Sequence, residues 1–393
     1  MSDERRIWLA RPQAGDEELA EVRAVLESGI LTQGPKVAEL ERMVADLVGV
    51  PHAFATTSAT TALHLSLVAA GIGPGDEVLV PDFTFPATAN VVVQQGAVPV
   101  LVDVELEAFA LDLEDLERRV TPRSRAVMPV HPFGLPAGMA PLMAAAERHG
   151  LAVIEDAACA LGATEGGRQT GSFGLAGCFS FHPRKSITTG EGGMLTTNDS
   201  AHAELAQALR EHGANWTDLE RHESEGSFLL ADFNELGYNY RMTDLQGALG
   251  CAQMDRADEL LDERRRLAAR YHDALAGLDW LATPVVPDGN VHGYQSYVCL
   301  YGAEPSFSEM ERLHSERNAL MLRMEQRGIA TRQGTHAPVA TGFYSQKYRL
   351  RQKDFPAAVM AERLSIALPL YPGMSDDDQD LVVDELITAR EGG

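Results

Sequence analysis

The chain predicts an α/β protein: a large domain on a mostly parallel seven-stranded sheet, then a smaller α/β domain at the C-terminus. Three observations lead there. From about residue 50, short β-rich runs alternate with runs of helical periodicity, the pattern of a parallel sheet with helices on both faces. The acidic pair Glu155-Asp156 directly follows the apolar run Leu-Ala-Val-Ile. That places it at the carboxyl end of a strand, where open α/β sheets form their ligand crevice. Lys185 stands alone between positions 36 and 347, one of four lysines (with Lys36, Lys347 and Lys353) among 33 basic residues. A lysine kept in an arginine-rich chain suggests work that arginine cannot do, namely losing its proton and attacking a carbonyl.

Taken in order, the predicted strands of the large sheet are 52–56, 77–81, 98–104, 125–130, 152–155, 178–181 and 193–197, with helices over 60–70, 87–95, 139–149 and 201–211. The glycine-rich stretch 71–76 precedes a strand and contains Pro74, so it reads as a helix-to-strand turn and not as a dinucleotide loop. Between Gly213 and Gly237 the chain turns polar and loses periodicity, which predicts a long functional loop. One long helix is expected from about Thr243 into the 270s, with Leu260, Leu267, Tyr271 and Leu275 inward and its acidic and arginine residues outward. Beyond it come strands at 294–301 and about 329–332, and helices over 308–327, 356–366 and 376–390. Ser375 and the three aspartates after it read as cap and dipole partners of that last helix. The domain division is then 1–250 (large domain, N-terminal segment included), 251–283 (connecting helix) and 284–393 (small domain).

Composition narrows the function. The 33 basic and 57 acidic residues leave a net charge of −24, which opposes nucleic acid and anionic lipid as partners. No uncharged apolar stretch approaches the ~20 residues of a membrane span, and no apolar signal core follows Met1, so a cytoplasmic location is expected. The four cysteines (Cys159, Cys178, Cys251, Cys299) form no CxxC pair and read as free thiols. The histidines have no metal-ligand spacing, so no metal is expected.

Three segments carry chemistry. The small hydroxyl residues at 57–61 follow a strand and open a helix, where free N–H groups and the helix dipole favour a phosphate. Asp156 or Glu155 supplies a partly buried carboxylate. The run 179–193 (FSFHPRKSITTGEGG) delivers Ser180 and then Lys185, with His182 placed to pack locally or to meet substrate. A lysine nucleophile, a carboxylate about thirty residues earlier and a phosphate-ready helix start are the parts that a pyridoxal 5'-phosphate site requires.

These segments, together with 29–35 (GILTQGP), 58–63 (SATTAL), 75–78 (GDEV), 84–90 (TFPATAN), 155–158 (EDAA), 237–242 (GYNYRM) and 368–372 (LPLYP), resemble the DegT/DnrJ/StrS-type aminotransferases of sugars over nearly the whole chain. The resemblance implies an aspartate-aminotransferase-type fold (fold type I), usually a homodimer with sites at the subunit interface. It implies that Lys185 is the Schiff-base lysine and proton shuttle, that Asp156 pairs with the pyridinium nitrogen and that Phe85 stacks on the cofactor ring. Ala59, Thr60 and Ser180 would hold the phosphate, with Asn239 supplied by the neighbouring subunit. Thr32, His182, Arg241 and His336 are the substrate-contact candidates. Two positions depart from the family: Ala59 stands where glycine is common, and Cys159 where glutamine often lies near the cofactor's phenolic oxygen. The implied reaction moves an amino group, from L-glutamate, to the C4 or C3 ketone of a nucleotide-linked deoxysugar. The alternatives are a glutamine-dependent keto-cyclitol aminotransferase, whose relatives often read glutamine in place of His182, and a non-catalytic protein of the same fold.

Overall fold

Strand formation follows from burial on both faces: the runs Glu77–Pro81 and Gly193–Thr197 are buried at every position, as central strands of a covered sheet must be. In the computed structural model, which describes residues 6–214, 230–302 and 304–391, the large sheet is built from β1 (His52–Thr56), β2 (Glu77–Pro81), β3 (Val98–Val102), β4 (Ser124–Val127), β5 (Ala152–Asp156), β8 (Ala176–Ser180) and β9 (Gly193–Thr197). The short strands β6 (Thr164–Glu165) and β7 (Arg168–Gln169) lie outside it. Its spatial order is β1-β9-β8-β5-β4-β2-β3. All neighbours pair in parallel except β9, which runs antiparallel to both β1 and β8. The strand predicted to reach residue 130 stops at Val127, two residues short of Pro129, which has no N–H for the ladder.

The turn at 71–76 is as read: Asp76 accepts from the Gly73 N–H at 3.0 Å, and Gly71 and Gly75 take positive φ. The single long helix is instead two, Asp244–Asp255 and Ala257–Leu275. At Arg256 the backbone leaves helical geometry (φ −109°, ψ 12°), its N–H turns back to Gln253 and Met254, and its side chain is drawn to Glu259 and the Gln13 side chain. Arg264 is also not outward. It sits on the buried stripe between Leu260 and Leu267. The expected strand at 329–332 survives only as isolated bridges at Ile329 and Arg332.

A second sheet, β10-β12-β13, is antiparallel and comprises Leu281–Ala282, Tyr297–Tyr301 and Ser365–Leu368. Its last strand lies largely beyond a helix that was expected to continue to residue 366 and stops at Leu364. The N-terminal residues lean on this half: Ile7 bridges Ile329, and Leu9 accepts from the Leu370 N–H. β11 (Asn290–Val291) pairs with β6. The helix Asp376–Glu391 starts as expected, with Ser375 Oγ accepting from the Asp378 N–H. Of the polar stretch expected to form a loop, residues 215–229 lie outside the described residues.

Near the start of the chain, a carboxylate does a capping task that its own helix does not need. The helix Pro35–Val48 begins at Gly34, which has no side chain to cap it. Asp244 supplies the missing acceptor: its Oδ1 takes the Gly34 and Val37 N–H groups at 3.0 and 2.9 Å. Its own N–H returns to the carbonyls of Leu31 and Thr32. Gly247 allows this approach, since a Cβ there would overlap the Lys36–Val37 backbone, while a Cβ on Gly34 would overlap the Ile30 side chain and crowd Asp244. Asp244→Ala should therefore destabilise the protein by about 1–3 kcal/mol, the cost of orphaned buried donors, read as a fall in thermal unfolding temperature.

Candidate active site

The parallel strands β1, β2, β5 and β8 direct their carboxyl ends to one side of the sheet, and the sequence-predicted residues gather there. Asp156, the last residue of β5, is 6% exposed. Its Oδ2 accepts from Thr88 Oγ1 at 2.7 Å and its Oδ1 from the Ala158 N–H at 3.2 Å. No ion pair reaches it among the described residues. Burial raises its pKa, against the hydrogen bonds from Thr88 and Ala158 and the charge of Lys185, which lower it. A carboxylate in that setting lacks a cationic partner, and a protonated ring nitrogen is a partner of the right chemistry.

Glu155 points to the opposite face, as strand alternation requires. A cation was the expected partner for a buried acid, but Glu155 instead accepts the N–H groups of Gly171, Phe173 and Gly174 at 2.7–2.8 Å and pairs with His131 at 3.0 Å. His131 accepts the Ala137 N–H at Nδ1, so Nε2 carries the proton towards Glu155. Glu155 therefore anchors the 171–174 turn, and Asp156 alone faces the crevice.

Lys185 lies in the loop between β8 and β9. Its Nζ donates to Cys159 Sγ at 3.0 Å, and its N–H donates to the His182 carbonyl at 2.8 Å. His182 accepts the Arg184 N–H at Nδ1. Burial first, with the nearby Arg184 and Lys185 charges, lowers its pKa, leaving a neutral ring whose Nε2–H is a donor. Ser180 Oγ accepts from the His182 N–H at 3.4 Å.

The phosphate-ready helix Ala59–Ala69 starts at Ser58, whose side chain caps the Thr61 N–H. The Ala59 and Thr60 N–H groups have no acceptor among the described residues, the usual condition of a first helical turn. Gly193 is the neighbour of both Thr56 and Ser180 in the sheet. A Cβ there would overlap the backbone of Ser58 and Ala59, so its bareness lets the helix start sit beside Ser180. Ala59 in place of glycine costs nothing visible, because the free groups are main-chain N–H.

Phe85 precedes the helix Ala87–Gln94 that carries Thr88, and its ring is 61% exposed. It meets the ring of His336 edge-on at 6.2 Å, while the Thr84 N–H donates to the His336 carbonyl at 2.9 Å. Burial and the Arg332 charge lower the pKa of His336. Thr32, Asn239 and Arg241 are not brought to this cluster. Asn239 and Arg241 flank Tyr240, whose carbonyl accepts the Thr57 N–H at 3.0 Å, and the segment of Thr32 meets that of Asn239 through the Gln33–Glu211 hydrogen bond and the Glu211–Asn239 bridge. No hydrogen bond joins the three side chains to Lys185 or Asp156 among the described residues. Sequence reasoning missed Thr88, whose signal was its place four residues after Thr84 at a helix start. It also missed His131 and Arg264, which carry no motif.

Residues 12–387 match the DegT/DnrJ/EryC1/StrS aminotransferase family, and the chain belongs to that family. It is 39% identical over 373 residues, 95% of its own length and 94% of the relative's, to the spore coat polysaccharide biosynthesis protein SpsC of Bacillus subtilis (strain 168). Among solved structures it superposes on Spr1654 of Streptococcus pneumoniae, assigned as a sugar aminotransferase, in its PMP form, with TM-score 0.91 and 28% identity, over 98% of this chain and 99% of that one. It also superposes on the aminotransferase TlmJ of Streptoalloteichus hindustanus, with TM-score 0.88 and 28% identity, over 98% and 99% of the two chains. The fold is that of the fold type I sugar aminotransferases, and the protein is a pyridoxal phosphate-dependent sugar aminotransferase.

The donor set fits the cofactor: a lysine amine, a buried carboxylate without a cation, an exposed aromatic face and a helix start with free N–H groups. Asp156→Asn should weaken cofactor retention by about 3–5 kcal/mol, the cost of breaking a buried charge pair. Equilibrium dialysis against pyridoxal phosphate measures this, and retention equal to wild type would remove Asp156 from its role.

Proposed function

We propose that this enzyme transfers an amino group from L-glutamate to the C4 or C3 ketone of a nucleotide-linked deoxysugar, working as a cytoplasmic homodimer. The observation that carries the reading is the convergence of Lys185, Asp156 and the free N–H groups of Ala59 and Thr60 at the carboxyl ends of β8, β5 and β1. Pyridoxal phosphate, when bound, supplies an electron sink for the charge that develops as the donor's α-proton leaves. Lys185 takes and returns that proton at Nζ. Asp156, held by Thr88 and the Ala158 N–H, keeps the ring nitrogen cationic. Phe85 offers a flat apolar face, and Ala59, Thr60 and Ser180 bind the phosphate. Cys159, already at hydrogen-bond distance from Lys185 Nζ, stands where many relatives carry glutamine, and a thiol, a weaker hydrogen-bond donor than an amide, leaves the phenolic oxygen less firmly held. His182 and His336 border the crevice as neutral rings suited to sugar hydroxyls.

The homodimer is supported by where the remaining candidates lie. Thr32 lies in the same segment as the open apolar side chains Ile30 and Leu31, which with Leu19 and Leu26 are each 45–58% exposed, and Asn239 and Arg241 are the further candidates for sharing across such a face. In the dimer, each protomer lends these three polar residues to the other's crevice. The four cysteines are free, which suits a reducing compartment. Among the described residues no helix is long and apolar enough to cross a membrane. We keep the domain division 1–250, 251–283 and 284–393 as a proposal, with helix Asp244–Asp255 spanning its first boundary and Leu281–Ala282, inside the middle segment, pairing into the second sheet.

The test is the visible absorption of the holoenzyme before and after addition of L-glutamate alone. The cofactor's visible band should fade, and return when a nucleotide-linked keto sugar is added. A band that ignores glutamate and responds to glutamine would reassign the donor and favour a keto-cyclitol acceptor.

A further inference from the structure

Arg264 is 2% exposed and faces no carboxylate among the described residues. Its guanidinium is spent on main-chain carbonyls. Nη2 donates to Lys185 O at 3.2 Å; Nη1 lies 3.2 Å from Gln295 O and 3.4 Å from both Tyr294 O and Leu370 O. Nε is left without a partner. Burial lowers its pKa to about 10, so the group remains a cation at neutral pH. A buried cation unpaired with an anion is costly, and the planar fork explains its retention: its five donors are spread widely enough to reach carbonyls of separate segments at once.

Two neighbours extend the grip. Gln295, whose carbonyl Arg264 holds, donates its side-chain amide to Arg184 O at 2.7 Å. Tyr271, two turns along the same helix face, donates to Pro369 O at 2.8 Å. The buried face of Ala257–Leu275 thus binds the main chain of the lysine loop, the approach to β12 and the segment after β13 in one cluster of bonds. A lysine side chain has four rotatable bonds, so the position of Nζ depends first on how firmly its main chain is held.

We propose that Arg264 is a positioning residue for Lys185: it fixes the main chain of the lysine loop against the C-terminal half, so that Nζ returns to one place in every turnover. The inference rests on Lys185 being the reactive amine. Arg317 provides a matched control. It is also a buried helix arginine bonded to a strand carbonyl, Ser365 O at 3.0 Å, with its pKa lowered to about 10, but it does not touch the lysine loop.

The experiment compares Arg264→Met, Arg264→Lys and Arg317→Met by amide hydrogen exchange of residues 182–186 in the holoenzyme and by the rate at which the apoprotein captures pyridoxal phosphate. Both Arg264 variants should speed exchange in that loop and slow capture on the order of 10- to 100-fold, the penalty of a misplaced reacting group. Arg317→Met should leave both unchanged even where its unfolding temperature falls. If Arg264→Met does not fold, Arg264→Lys decides, since a point charge cannot span the same carbonyls. Wild-type exchange and capture in the Arg264 variants, or equal losses in Arg317→Met, would overturn the proposal. Failure of the wild-type protein to capture the cofactor would instead sink the functional reading, and loop exchange would still decide the role of Arg264.

Discussion

The structure depends on keeping the Asp156 carboxylate buried and unpaired with any cation among the described residues. Burial raises its pKa, so desolvation works against the charged form of this acid, and a cationic partner would offset that cost. Thr88 and the Ala158 N–H orient the carboxylate without neutralising it. A salt bridge there would stabilise the empty protein and take away the reason to bind a cationic ring. The adjacent acid shows the opposite solution. Glu155 is fully served by main-chain N–H groups and His131, and it is consumed by the fold.

The end of the crevice proposed to hold the phosphate rests on a constraint of shape. β9 alone is reversed in the large sheet, and it enters at Gly193 between Thr56 and Ser180. Any side chain at that point would push against the Ser58–Ala59 backbone. The helix start would then be lifted from the sheet, and its free N–H groups would no longer share a target with Ser180. The strand reversal also turns the chain back just past the lysine loop, so Lys185 and the cradle come from neighbouring strand ends.

A third layer of order comes from the second half of the chain. Arg264, Gln295 and Tyr271 direct their donors to the carbonyls of loop segments, and Ile7 and Leu9 join the N-terminal residues to the same half. Such bonds link regions distant in sequence. They make the placement of Lys185 a property of both domains.

Much of this was legible in the residues. Strands 52–56, 77–81 and 193–197 and the helix 139–149 stand where periodicity put them, because their burial pattern is local to each segment. Lys185, Asp156 and the 57–61 segment could be singled out as candidates because such chemistry demands particular residue types at strand ends and helix starts, and the fold brings their elements to one side of the large sheet. What the sequence could not state is which partners meet across the chain. At the break, Arg256 meets Gln13 and Glu18, residues some 240 positions away. Arg264 reads as a surface charge until tertiary packing presents it with carbonyls from three segments. Glu155 and Asp156 are equal acids in the sequence, and only the two faces of a folded sheet make one an anchor and the other a site. Local pattern determined the elements and the reactive residue types. Long-range packing decided which polar groups were satisfied by the fold and which were left for a ligand, since desolvation acts only on a completed interior.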